Sequence, residues 1–218
     1  SIWDGMENKL ESEGYTVFRV GEVLGQTGMK PNNGDITFLS EQQFTPAIKK
    51  VKQKTGDQKV DVVAHSMGGL AARWKIHMHT GLVEPDIGSL IMLGTPNEGA
   101  PIAKGPIAHF VGYLMGDDGA DTARLQMIPG SEFLTTLNTN YTTKGVNHYS
   151  IAGTSLPWYL EKAFAICLAE PNYCFPINNH TITDSIVPRA SVDFAGACVE
   201  ENIPHSDILG ETFYTYLS

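Results

Sequence analysis

The chain has 218 residues, enough for one domain with a substantial core, and its 42% hydrophobic content is that of an ordinary globular protein. A formal charge of −9 argues against nucleic acid as a partner and against attachment to an anionic membrane by charge alone. No run of about eighteen apolar residues occurs, so no transmembrane segment is expected.

The chain opens at Ser1 on helix-like sequence without a signal peptide, as a mature or trimmed product would. Ile2, Trp3, Met6 and Leu10 recur at helical spacing, and Gly14 stands where that helix should stop. Tyr15-Thr16-Val17-Phe18-Arg19-Val20 reads as a strand, and residues 21–34, dense in glycine, read as a loop. Phe44, Ala47, Ile48 and Val51 predict a second amphipathic helix closed by Gly56. Val60 to Val63 and Ser89 to Leu93 are short apolar runs of strand length, separated by Leu70 to Ile76, which is rich in helix formers. From Gly99 to about Lys144 the alternation breaks into an insertion, inside which Ser131 is expected to cap a helix. Strand character returns at His148 to Gly153 and at Ala197 to Glu200, with a second insertion from Leu156 to Asn179 and a closing helix from Ile208. Strands alternating with helices predict an α/β fold with a mostly parallel sheet covered on both faces. A single domain over residues 1–218 is expected, with cap insertions at about 99–145 and 155–180.

Of three cysteines, Cys167 and Cys174 are close enough to close a small loop, worth about 2–3 kcal/mol if oxidised. Three buried thiols are the alternative, and the spacing is unlike a zinc site.

Ala64-His65-Ser66-Met67-Gly68-Gly69 lies between the Val60 strand and the Leu70 helix. A strand that turns abruptly into a helix with a serine at the apex is a nucleophile elbow, and small residues two places either side of the serine avoid collision there. Alanine at position 64 adds one methyl to the usual glycine. This segment resembles the elbow of α/β-hydrolase lipases, and its alanine variant is similar to that of secreted Bacillus lipases. The resemblance continues, in the family's order, through Leu93-Gly94-Thr95-Pro96-Asn97-Glu98-Gly99-Ala100, Asp184-Ser185-Ile186-Val187-Pro188 and His205-Ser206-Asp207-Ile208-Leu209.

The resemblance implies an α/β-hydrolase fold and an acyl-enzyme formed on Ser66. A serine hydroxyl needs a base, and His205, after the last expected strand, is the one of seven histidines late enough in the family order. Asp184 is similar to the acid of the D-x-x-V-P segment in related lipases, with Asp193 as the runner-up; it would hold the imidazole's tautomer. His77 and His79 are expected at the surface. The backbone N–H of Met67 is the first oxyanion donor. A second donor usually follows an earlier strand ending in His-Gly, which this chain lacks before Ile2, so the native protein is expected to carry an N-terminal segment supplying that strand.

Phe110 and Leu114 in the first insertion, and Trp158 and Phe164 in the second, are expected to line or cover an acyl-binding site. The resemblance thus implies a lipid or ester substrate, a lipid–water interface, a secreted protein and no organic cofactor, and an extracellular setting favours the disulfide. Some lipases of this kind hold calcium through an aspartate two residues past the histidine, where Asp207 stands. Calcium needs several oxygen ligands and no second carboxylate is identified before Asp184, so no metal is expected. The alternatives are a short-chain carboxylesterase, a phospholipid or inositol deacylase with the same triad, or a hydrolase-fold binding protein without catalysis.

Overall fold

A computed structural model describes residues 3–25, 35–78, 86–100, 121–139, 141–153 and 198–201. Four strands, β1 (Val60–His65), β2 (Ile87–Leu93), β3 (Asn147–Gly153) and β4 (Cys198–Glu201), form one sheet in the order β1-β2-β3-β4. Every neighbouring pair is parallel. Parallel neighbours need crossovers, so all four strands end at one rim.

The pleat sorts the core into two layers. Val62 and Ala64 of β1 lie level with Leu90 and Met92 of β2, on the face that packs against α4 (Thr45–Thr55) and α5 (Met67–His77) through Phe44, Ile48, Ala72 and Ile76. Val63, Ile91, Leu93 and Ile151 line the other face, where Met6, Trp3 and Leu10 of the α1 region (Asp4–Ser12) cover them. The expected two-sided cover is therefore present, and its strands are apolar on both faces for that reason.

Helix α1 ends as its sequence predicts, with Gly14 at φ 94° and the Tyr15 N–H donating back to the Leu10 carbonyl. The Gly56 stop of α4 is likewise left-handed, at φ 84°. Two expectations need correction. Residues 15–19 form no strand: Arg19 is extended, but no described strand lies beside this segment to complete a ladder, and Tyr15 is 61% exposed. Composition supplies strand propensity, but hydrogen bonds to a neighbour make the strand. The loop expected from Gly21 begins instead with a helical turn, α2 (Val20–Val23); the Arg19 guanidinium meets Asp4 and Glu7 of α1 and so docks that turn.

Ahead of α4, the turn α3 (Ile36–Leu39) is capped by Asp35, whose side chain accepts from the Thr37 and Phe38 N–H groups. A π-helical turn at Ser40–Phe44 joins α3 to α4. In the first insertion lie α6 (Asp121–Gln126) and α7 (Glu132–Asn138). Ser131 caps α7 as expected: its hydroxyl accepts from the Leu134 N–H at 3.2 Å and donates to the Gln126 carbonyl at 2.6 Å. The second insertion, the closing helix, His79, Cys167 and Cys174 lie outside the described residues.

Candidate active site at the β1–α5 elbow

Ser66 is the residue at which β1 becomes α5. Its backbone sits at φ 53° and ψ −129°, and among the described residues only Lys144 is another non-glycine with positive φ. Such a conformation costs about 1–3 kcal/mol and persists only where the surroundings enforce it. Here the Ser66 N–H donates to the Leu93 carbonyl of β2 at 2.8 Å, and its own carbonyl accepts from Gly69 at 3.1 Å. The side chain makes no cap hydrogen bond, unlike that of Ser131. A strained serine that does not cap its helix leaves its hydroxyl, partly exposed at the sheet rim, available for other work.

Met67 is the first residue of α5, so its N–H is among those that helical geometry leaves without an intrahelical acceptor. The positive end of the eleven-residue helix dipole adds to the attraction for a negative oxygen at this point. The Met67 side chain packs instead into the cluster of Leu70, Phe133 and Leu134.

The close contact of the elbow is one residue later than sequence reasoning placed it. A Cβ on Gly68 would meet only the Ala64 methyl, at an ordinary 3.9 Å. A Cβ on Gly69 would come within 2.1 Å of the Thr95 hydroxyl oxygen, because the first turn of α5 lies directly on the loop that follows β2. The second glycine of the pair is the one this packing requires.

Behind the elbow is a polar network that sequence reasoning missed. Arg73 is fully buried on α5, and its guanidinium donates to Asn97 Oδ1 at 3.0 Å and to Asn138 Oδ1 at 2.7 Å. It also lies 4.6 Å from the centre of the Tyr141 ring. Burial pushes the guanidinium down to about 10, still charged at neutral pH, and pushes the Tyr141 phenol up to about 12. His77, expected at the surface, is half-buried and stacks on the same ring at 6.1 Å. The available signal was an arginine inside the otherwise apolar run Leu70-Ala71-Ala72-Arg73-Trp74, where a charge demands partners.

The Tyr141 hydroxyl lies 2.8 Å from His148 Nε2, and His148 Nδ1 lies 2.9 Å from the Val146 carbonyl. A carbonyl only accepts, so Nδ1 carries the proton and Nε2 accepts from the tyrosine. Burial is the main cause that holds the imidazole below its usual range, and nearby Arg73 adds to it. A histidine with a depressed folded pKa contributes stability that is complete above its unfolded value of about 6.5 and is lost as the pH falls through the folded value. The melting temperature should therefore fall more steeply between pH 6.5 and 5 in the wild type than in His148→Gln. Parallel slopes would show that His148 is not buried as the neutral form.

Asp184, His205, Phe110, Leu114, Trp158, Phe164 and the alternates Asp193 and Asp207 lie outside the described residues. A shallow groove bordered by Glu98, Leu134 and Asn138 is described, but no elbow residue lines it.

Comparison with the mature form of the Bacillus licheniformis lipase BlEst2 gives a TM-score of 0.64 over 87% of this chain and 76% of that one, at 16% identity. The chain has the α/β-hydrolase fold. A family profile described as a PGAP1-like alpha/beta domain matches residues 33–115 of the chain, from ahead of α3 to beyond β2, with the elbow between. Over 101 residues, 46% of the chain, it is 30% identical to a triacylglycerol lipase of Pseudarthrobacter phenanthrenivorans. Over 89 residues, 41% of the chain, it is 29% identical to lecithin-cholesterol acyltransferase-like 4 of Arabidopsis thaliana. The aligned stretches span only 28% and 15% of those two proteins.

Proposed function

We propose that this α/β-hydrolase cleaves carboxylic esters, with lipid esters as the substrate class, through an acyl-enzyme on Ser66. The observation that carries the reading is the strained, non-capping serine at the start of α5. The likeness to triacylglycerol lipases supports the substrate class. In this reading His205 takes the Ser66 proton and returns it to the leaving alcohol, Asp184 orients His205, and the Met67 N–H binds the oxyanion. The parallel sheet supports the role of His205 by its reach. Strands β1 and β4 are three spacings apart, about 14 Å. The four residues from Glu201 to His205 span up to about 14 Å when extended.

Phe110, Leu114, Trp158 and Phe164 belong to the same proposal as the residues that receive the acyl chain, within insertions of one domain. Export from the cell is a further part of it, supported by the resemblance to secreted lipases. A series of p-nitrophenyl esters from acetate to palmitate, with and without an emulsion, tests the substrate class. Rates that rise with chain length and with the interface are expected. A maximum at acetate, unchanged by emulsion, would instead make the protein a soluble-ester hydrolase.

A further inference from the structure

The positions Ser66, Gly69 and Arg73 are spaced three and then four residues apart, which puts them along one stripe of α5. That stripe faces the loop after β2. At its top, Ser66 is bonded to the Leu93 carbonyl. In the middle, the Gly69 backbone rests against Thr95. Two turns below the serine, Arg73 holds Asn97, whose own N–H returns to the Thr95 carbonyl at 2.9 Å. The contacts form a closed ring: Ser66, helix α5, Arg73, Asn97, Thr95, Leu93 and back to Ser66.

The lower bond is the one that ties the loop to α5 itself through a side chain, so its loss would loosen the loop against the helix and let the elbow relax. Asn138 anchors the ring from α7, accepting from Arg73 while its amide donates to the Asn97 carbonyl at 2.9 Å and to Glu98 at 3.1 Å. Burying a guanidinium is costly, and a core of this size has apolar alternatives that would pack the same volume. We infer that Arg73 is a positioning residue for the nucleophile: its bond to Asn97 closes the ring that holds Ser66 in its strained conformation. This rests on the serine-hydrolase reading for its catalytic consequence but not for its structural one.

Arg73→Lys removes the forked donor, and Asn97→Leu removes the acceptor at similar volume; Asn97→Asp keeps an acceptor oxygen. Leu137→Ala, a buried residue of α7 outside the ring, serves as the control for general loss of stability. All are measured as full-length protein at a temperature where each is folded by circular dichroism. A displacement of the reacting group by about 1 Å costs about 100-fold, so Arg73→Lys and Asn97→Leu should slow labelling by a fluorophosphonate about 10- to 100-fold. In both, kcat for p-nitrophenyl butyrate should fall with KM nearly unchanged, and Asn97→Asp should restore most of the rate. Hydrogen exchange at the Ser66 and Gly69 amides, bonded to the Leu93 and Ser66 carbonyls, should quicken in Arg73→Lys and not in Leu137→Ala. Wild-type labelling and exchange in Arg73→Lys, or equal losses in Leu137→Ala, would overturn the inference. A wild type that takes no label, with exchange still quickened in Arg73→Lys, would overturn the hydrolase reading and uphold the ring.

Discussion

Ser66→Ala is expected to lose ester hydrolysis by about 10⁴- to 10⁶-fold in kcat, the scale on which removing a serine nucleophile acts in enzymes of this mechanism. It should lose no stability. The hydroxyl does not cap α5, so its removal leaves no helix N–H group without a partner, and the melting temperature should stay within a degree or two of the wild type. Ser131→Ala provides the contrast. That hydroxyl accepts from Leu134 and donates to Gln126, so its loss should cost about 1 kcal/mol of stability while leaving activity intact. If instead Ser66→Ala melts earlier and Ser131→Ala loses turnover, the two serines have been given each other's roles.

Gly99→Ala is expected to have the largest effect on stability. Gly99 lies at φ 95°, and a Cβ there would stand 2.7 Å from the Pro129 nitrogen and 2.8 Å from the Met127 carbonyl oxygen. Both are backbone atoms in a turn already bonded to this loop, since the Ala100 N–H donates to the same Met127 carbonyl at 2.9 Å. No rotamer relieves such a contact. The left-handed conformation costs an L-residue about 1–2 kcal/mol, and overpacking adds about 1–3, giving about 2–5 kcal/mol together. For a domain of this size that lowers the melting temperature by about 5–15 °C. Gly130 separates the two causes: at φ 77° it has open space where its Cβ would go, so Gly130→Ala should show only the conformational part. Equal losses at the two positions would mean that the backbone approach at Gly99 is not as tight as described.

The parts of this fold that could be read from the chain are those fixed locally. The elbow is legible because a serine between a β-branched run and a helix-forming run, flanked by Ala64 and Gly68, has few other meanings. The stops at Gly14 and Gly56, the cap at Ser131 and the strands β1 to β4 follow from turn chemistry and apolar period. Residues 15–19 were misread because a strand is a property of two segments, and the sequence of one cannot show whether the other lies beside it. The π-helical turn at Ser40–Phe44 was invisible for a related reason, since its apolar spacing differs by one residue from that of the helix it interrupts.

The candidate site divides in the same way. Ser66 and Met67 are announced by their neighbours in sequence. The contact of Gly69 with Thr95, and the bonds of Arg73 to Asn97 and Asn138, join residues 24 to 65 apart, which no local pattern predicts. Burial was nevertheless written into Leu70-Ala71-Ala72-Arg73. A charge on an apolar stripe had to find partners, though only the fold shows which.

The most direct measurement is the site of covalent capture. Full-length protein treated with a fluorophosphonate should gain one adduct per chain, found by tandem mass spectrometry on the peptide containing Ala64-His65-Ser66-Met67-Gly68-Gly69 and assigned to Ser66, with none formed in Ser66→Ala. An unmodified Ser66 peptide, or an adduct on another serine that survives in Ser66→Ala, would contradict the account.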